Sequence, residues 1–208
     1  MRNGELRNST FNFQLSTLNS QLSILNSQFS TFNSQFSILN SQLSTLNFQL
    51  EMNILFICLG NICRSPMAET IMNKLLEERG LSKQFVIDSA GLEAYHEGER
   101  ADARMRAHAA RHGYNITHIS RPMRRDDWDK WDLIVCMDAQ NRRALSNRAP
   151  SAEHFKKVVL ATNYCDKHCL ADCVPDPYYG GEEGFEYVID LLEDACAGLI
   201  DYIEKGNS

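Results

Sequence analysis

The run Ile54-Leu55-Phe56-Ile57 is wholly apolar and leads directly into the octet Cys58-Leu59-Gly60-Asn61-Ile62-Cys63-Arg64-Ser65. Helical periodicity begins at Pro66 and continues to Arg79. A buried strand thus runs into a tight loop, and the loop runs straight into a helix N-terminus. That order belongs to parallel α/β units, where strand ends and helix starts meet along one edge of a sheet. Gly60 and Asn61 suit the wrap because both tolerate left-handed backbone. Pro66 fits the first helical turn, where its missing N–H costs little.

The loop begins with a thiol and ends with a guanidinium and a hydroxyl. Backbone N–H groups wrapping into a helix start converge on one point, and the helix dipole favours negative charge there. Arg64 adds a planar fork able to grip two oxygens of a tetrahedral anion. The same field bears on Cys58: helix N-termini and nearby cations lower a thiol from about 8.5 to roughly 3.5–7.5. Cys58 is therefore a candidate thiolate nucleophile, and Ser65 can donate a hydrogen bond to the sulfur. A bare Cys-x5-Arg occurs by chance in many chains, as a strand-end cysteine and a surface arginine. The whole octet in its strand–loop–helix setting is more specific. The loop lacks the Gly-Lys-Ser/Thr of nucleoside triphosphate sites and the Gly-x-Gly-x-x-Gly of dinucleotide sites. Cys58 and Cys63 do not have the spacing of a zinc knuckle.

A thiolate that attacks a phosphate ester needs a proton for the departing oxygen. The candidate donor is Asp176, in Val174-Pro175-Asp176-Pro177-Tyr178-Tyr179-Gly180-Gly181. Prolines fix the backbone on both sides of it, and the glycines end the loop. Taken alone this is an ordinary Asp-Pro turn. Paired with the anion cradle it reads as an acid loop, with partial burial expected to raise the carboxyl pKa.

Together these motifs resemble the low-molecular-weight protein tyrosine phosphatases. Further matching stretches are Asp88-Ser89-Ala90-Gly91, Tyr95-His96-x-Gly98, Ser120-Arg121-Pro122, and Trp131-Asp132-Leu133-Ile134 running to Met137-Asp138 with Asn141. The match spans residues 52–208. The resemblance implies that Cys58 attacks phosphorus, that Arg64 and the loop amides stabilise the transition state, and that Asp176 protonates the leaving phenolate and then activates water. It also implies a left-handed loop asparagine, Asn61, held by a network that includes Ser65, Ser89 and His118. Leu59, Ile62, Tyr95 and Tyr178 match ring-contacting positions. A bulky apolar residue at Ile62 accompanies phosphotyrosine activity, whereas threonine there accompanies phosphoarginine activity. The implied substrates are phosphotyrosine-containing proteins, with inorganic phosphate as product and no metal or organic cofactor. Rival readings are a phosphatase of other small or arginine-linked phosphates, an arsenate reductase of the same fold, and a phosphoprotein-binding module without turnover. Arsenate reductases need no proton donor placed like Asp176, and a binding module needs neither Cys58 nor Asp176.

The chain has 7 cysteines. An odd number without framework spacing argues against a secreted disulfide scaffold and for a reducing cytosol. The resemblance implies a reversible disulfide between Cys58 and Cys63 that shields the nucleophile from deeper oxidation. Cys165, Cys169 and Cys173 recur every four residues with His168 between them, which matches no common zinc pattern. They are expected to be free thiols on a loop near Asp176.

Residues 1–51 have another character. From Gln14 the chain repeats with a period of seven, as Gln-Leu-Ser-Thr-Leu-Asn-Ser and close variants. Leu15, Leu18, Leu22 and Leu25 have coiled-coil spacing. Yet Ser, Thr and Asn are poor helix formers, and no charge appears between Arg7 and Glu51 to specify a partner. The segment lacks the apolar core of a signal peptide and is too polar to span a membrane. The near-identical repeats suggest a tandem DNA repeat read through as protein, with Met52 as the true initiator. If made, this arm is expected to be disordered or marginally helical and prone to self-association.

Residues 1–51 are electrically neutral, so the formal charge of −6 belongs to the remainder. An acidic domain without a basic stripe is a poor nucleic-acid binder. Arg121, Arg124 and Arg125 lie beside Asp126, Asp127 and Asp129 and read as a solvated surface. Strands are expected near 54–58, 85–89, 133–137 and 157–160, and helices near 66–79, 101–112, 141–148 and 184–205. The last helix carries an apolar stripe of Phe185, Val188, Leu191, Leu192, Cys196, Leu199 and Ile203. The expected fold is α/β: a flavodoxin-like, doubly wound, four-stranded parallel sheet with helices on both faces and the N-terminal segment outside it. Ligands bind such folds at the C-terminal ends of strands, where Cys58 lies.

Overall fold

The computed structural model describes residues 2–47 and 51–206. The chain divides into two units, Met1–Leu50 and Glu51–Ser208. In the first, Arg2–Asn47 forms one helix, α1. Its residues 15–41 are exposed throughout, among them Leu15, Leu18, Leu22 and Leu25. Ser20 and Thr31 turn their hydroxyls back onto the carbonyls of Ser16 and Ser27, the local competition that makes these residues weak helix formers.

The second unit is built on strands β1 (Met52–Cys58), β2 (Phe85–Gly91), β3 (Leu133–Cys136) and β4 (Val158–Leu160). All pairings are parallel, in the order β2-β1-β3-β4. The principal helices are α2 (Arg64–Glu78), α3 (Ala103–Arg111), α5 (Ala139–Arg148) and α7 (Glu182–Gly206). Two short helices, α4 (Asp127–Lys130) and α6 (Ala152–Lys156), were not anticipated. Each is about one turn long, too short to carry a periodic signal.

Alternation along β1 sorts the core into two layers. Ile54, Phe56 and Cys58 pack with α2 and α7, against Met67, Ile71, Leu192 and Leu199. Leu55 and Ile57 pack on the other face, against Trp128, Trp131 and Leu145. The α7 stripe is fully engaged: Phe185, Val188, Leu191, Leu192, Cys196, Leu199 and Ile203 are all buried. At about 1.5–3 kcal/mol for each large apolar side chain removed from water, this stripe is a principal source of stability. Gly198 lets α7 close on the chain after β4, since a Cβ there would lie 1.9 Å from the Tyr164 carbonyl oxygen. Helix α3 starts at Ala103, two residues later than expected, because Asp102 caps it by accepting from the Arg104 N–H.

One expectation is corrected. Arg121 is not part of a solvated charge cluster. Its guanidinium donates to Asp88 at 2.8 Å and to Asp127 at 2.9 Å. Asp127 is buried and also accepts from the Trp131 indole N–H. The alternation of signs in 121–129 reflects a partly buried clamp between β2 and α4. Arg124 and Arg125 are exposed. Among the described residues, no helix is long and apolar enough to cross a membrane.

Candidate active site

Strand β1 delivers Cys58 to the C-terminal edge of the sheet, and α2 begins six residues later at Arg64. The carbonyls between them are drawn outward. Those of Cys58 and Leu59 accept from the N–H groups of Leu92 and Glu93, both at 2.9 Å. That of Gly60 accepts from the Ser120 hydroxyl, and that of Ile62 from the Asp102 N–H. With the acceptors engaged outside, the loop's amides are left for an anion at its centre. The Asn61 N–H points at Cys58 Sγ, 3.3 Å away, and Ser65 Oγ lies 3.0 Å from the same sulfur.

Asn61 is the one non-glycine residue with positive φ among those described, at 56°. This conformation costs an L-residue roughly 1–2 kcal/mol, and the surroundings hold it. Its Nδ2 donates to Ser65 Oγ and Ser89 Oγ, each at 2.9 Å. Its Oδ1 accepts from the Arg121 N–H at 2.9 Å; because that group can only donate, the amide orientation is defined and His118 Nε2, 2.8 Å away, must donate too. His118 Nδ1 in turn faces Glu69 Oε2 at 2.9 Å, and Ser89 Oγ donates to the same oxygen at 2.7 Å. Glu69, Asp88 and His118 place ligand atoms within 4.8 Å of one another. Glu69 and His118 are committed to this brace, and Asp88 to Arg121 and the Ser89 N–H. Their donor set serves the loop rather than a cation.

Arg64 is buried between two carboxylates. Nη1 donates to Asp138 at 2.6 Å and Nη2 to Asp176 at 2.7 Å. Burial alone would lower the guanidinium pKa, but Cys58, Asp176 and Asp138 outweigh it and the net direction is upward. Asp138 also caps α5 through the Asn141 N–H. Asp176 precedes a short 3-10 turn, Pro177–Tyr179, and accepts from the Tyr178 N–H at 3.1 Å. Partial burial is the expectation for Asp176; its side chain is 37% exposed and meets the Arg64 cation.

These groups line a cleft of about 260 Å³. Its walls are Leu59, Ile62, Tyr95, His96, Tyr178 and Tyr179. Cys63 lines it too; burial pushes its thiol well up, and Asp102 adds to this. The structure thus brings Cys58, Leu59, Gly60, Ile62, Cys63, Arg64, Asp176, Tyr95 and Tyr178 to one cleft, while Asn61, Ser65, Ser89 and His118 form the support behind it. Cys165, Cys169 and Cys173 are free thiols and do not line this cleft. The turn after Cys165 is held by Asp194, which accepts from the His168 N–H at 2.8 Å, and the His168 ring turns to Asp190.

Two residues here were given no role from sequence. Glu69 lies four positions after Ser65, on the same face of α2, a spacing that pairs side chains and was available as a signal. Asp138 opens an Asp-x-x-Asn cap, which marks a helix start but not a partner for Arg64.

A family model described as low molecular weight phosphotyrosine protein phosphatase matches residues 53–208. The low molecular weight protein-tyrosine-phosphatase of Streptomyces coelicolor is 43% identical over 157 residues, 75% of this chain and 96% of that relative. A crystal structure of protein tyrosine phosphatase from Entamoeba histolytica, with Hepes in the active site, is 44% identical, covers 76% of this chain and 100% of its own, and has a TM-score of 0.72. A Drosophila arginine phosphatase is 30% identical over 73% of this chain and 98% of its own, with a TM-score of 0.68.

Proposed function

The chain belongs to the low molecular weight phosphotyrosine protein phosphatase family, a family of hydrolases, and from that premise we propose that it cleaves phosphotyrosine in proteins through a cysteinyl-phosphate. The ester's phosphoryl group sits in the amide loop at the start of α2, with Arg64 across two of its oxygens. Cys58 Sγ attacks as the thiolate. The S–P bond forms as the P–O bond to the phenol breaks, and Asp176 passes its proton to that oxygen. Asp176, now a carboxylate, takes a proton from water as the water oxygen bonds to phosphorus. The S–P bond breaks, the Ser65 hydroxyl donates to the departing thiolate, and inorganic phosphate leaves.

The observation that carries this reading is the Arg64–Asp176 contact at 2.7 Å beside the loop that holds Cys58. It supports a reading in which Cys58, Arg64 and Asp176, which line one cleft, act as nucleophile, anion fork and proton donor. The aromatic and aliphatic walls suit a flat ring, and the formal charge of −6 argues against nucleic-acid partners. The cysteine usage supports a reducing, cytosolic setting. We assign the activity to residues 52–208 and treat 1–51 as dispensable, since the family model begins at 53.

Turnover of aryl phosphates by the full chain and by a chain starting at Met52 tests this, with Cys58→Ser and Asp176→Asn as controls. Equal rates for the two chains, lost in Cys58→Ser, are expected; an active Cys58→Ser protein would refute the mechanism. The similarity to an arginine phosphatase supports a second reading, phosphoarginine hydrolysis. Ile62 lines the cleft and offers no hydroxyl to a guanidinium, which favours the aromatic ester. Paired phosphotyrosine and phosphoarginine peptides separate the two readings.

A further inference from the structure

Arg104, the second residue of α3, reaches across to the loop that bears Asp176. Its Nη1 donates to the Tyr178 carbonyl at 3.1 Å. Its guanidinium lies 5.1 Å from the centre of the Tyr178 ring and 5.1 Å from that of Phe185, close enough for cation–π attraction to both. The other edge of the fork grips Asp102, with Nε at 3.1 Å and Nη2 at 2.8 Å. Asp102 is itself tied to the phosphate loop, because its N–H donates to the Ile62 carbonyl at 2.8 Å.

A continuous chain of contacts results. It runs from Ile62 in the loop, through Asp102 and Arg104, to Tyr178, and Tyr178 donates its own N–H to Asp176 at 3.1 Å. Within the same loop Asp176 also meets Arg64 and Pro177 is buried, while Tyr179, Gly180 and Gly181 are exposed. We propose that Arg104 is a positioning residue for the acid. It fixes Tyr178, and through it the Asp176 carboxyl, relative to the phosphate loop. The inference rests on the mechanism above, in which Asp176 protonates the leaving group. Lysine cannot replace Arg104, since one ammonium cannot span Asp102 and the Tyr178 carbonyl while stacking on two rings. The side chain is 48% exposed, so it is a brace rather than a core element.

The test is kcat/KM of the full chain for phenyl phosphate and for nitrophenyl phosphate, in wild type, Arg104→Met and Arg104→Lys. Methionine keeps an apolar stem over Phe185 and removes every donor. A misplaced acid matters when the leaving phenolate is basic and matters little when it is not. Arg104→Met is expected to lose about tenfold on phenyl phosphate and less than about threefold on nitrophenyl phosphate, with Arg104→Lys showing the same asymmetry. In an Asp176→Asn background the asymmetry should vanish, because the two changes act through one group. Equal losses on both esters would overturn the inference and leave Arg104 a structural strut. A wild-type chain that cleaves neither ester would overturn the functional reading and this inference with it, whereas active wild type with equal losses removes this inference alone. Should Arg104→Met fail to fold, Arg104→Lys carries the same comparison.

Discussion

Arg64 Nη2 and Asp176 Oδ2 are 2.7 Å apart, so the fork assigned to the phosphate and the carboxyl assigned to the leaving oxygen bind each other. On the proposed mechanism, an anion entering the loop would compete with Asp176 for that nitrogen, and substrate binding would thereby be coupled to release of the acid.

On the proposed mechanism, replacing Asp176 with asparagine removes the proton donor and the charged competitor for Arg64 at once. We expect Asp176→Asn to lower kcat/KM for phenyl phosphate by about 10²–10⁴-fold, with a smaller loss for nitrophenyl phosphate. Inhibition by inorganic phosphate should tighten by roughly twofold to fivefold, the scale of a part-exposed ion pair. Weaker phosphate binding in this variant would contradict the competition.

Asp138 holds the other nitrogen of Arg64 at 2.6 Å. Asparagine at 138 still caps α5 but gives the guanidinium no charge partner. Asp138→Asn should therefore cut kcat/KM by about tenfold for both esters, with little change in thermal midpoint. Unchanged turnover would show that the Val174 carbonyl, which accepts from Arg64 Nη1 at 3.2 Å, and Asp176 suffice to aim Arg64.

The left-handed Asn61 separates backbone strain from hydrogen bonding. Glycine removes the strain and the side-chain network together, whereas alanine removes only the network. Both variants should lose turnover, and Asn61→Ala should be less stable than Asn61→Gly by about 1 kcal/mol. Denaturant titration of the pair measures the difference.

Gly91 closes β2 against the loop. A Cβ there would lie 2.9 Å from the Glu93 carbonyl oxygen and 3.1 Å from that of Leu59. Both obstacles are backbone, so relief requires moving the loop. Gly91→Ala is expected to cost about 1–3 kcal/mol and to lower activity beyond what the stability loss explains, checked by urea unfolding alongside turnover.

Acid sensitivity should trace partly to Glu186. His112 first, then His108, hold its carboxyl at about 2, below the ordinary 4.5. A carboxylate depressed in the folded state contributes stability that is complete above pH 4.5 and is lost as the pH falls toward 2. Its side chain is 41% exposed, so solvent screens part of the effect. Glu186→Gln should flatten the stability profile across that window, and an unchanged slope would place the acid limb elsewhere.

Much of the molecule could be read along the chain because the governing interactions are local. The octet from Cys58 to Ser65 is contiguous, so strand, loop and helix start all follow from neighbouring residues. The α7 stripe announces itself through periodicity, which is also local. The network around Asn61 and the pairing of Arg64 are different. Arg64 and Asp176 are 112 positions apart, and Arg64 and Asp138 are 74 apart. They meet because β1 is an inner strand between β2 and β3, so loops from distant parts of the chain end at the same edge of the sheet. Residue type announced a thiol, a guanidinium and a carboxyl. Only the folded sheet decided which carboxylates hold the guanidinium, that Glu69 stands behind His118, and that Arg121 is a clamp and not a surface charge. Those choices turn on distance and burial, and neither is a property of a residue's neighbours in sequence.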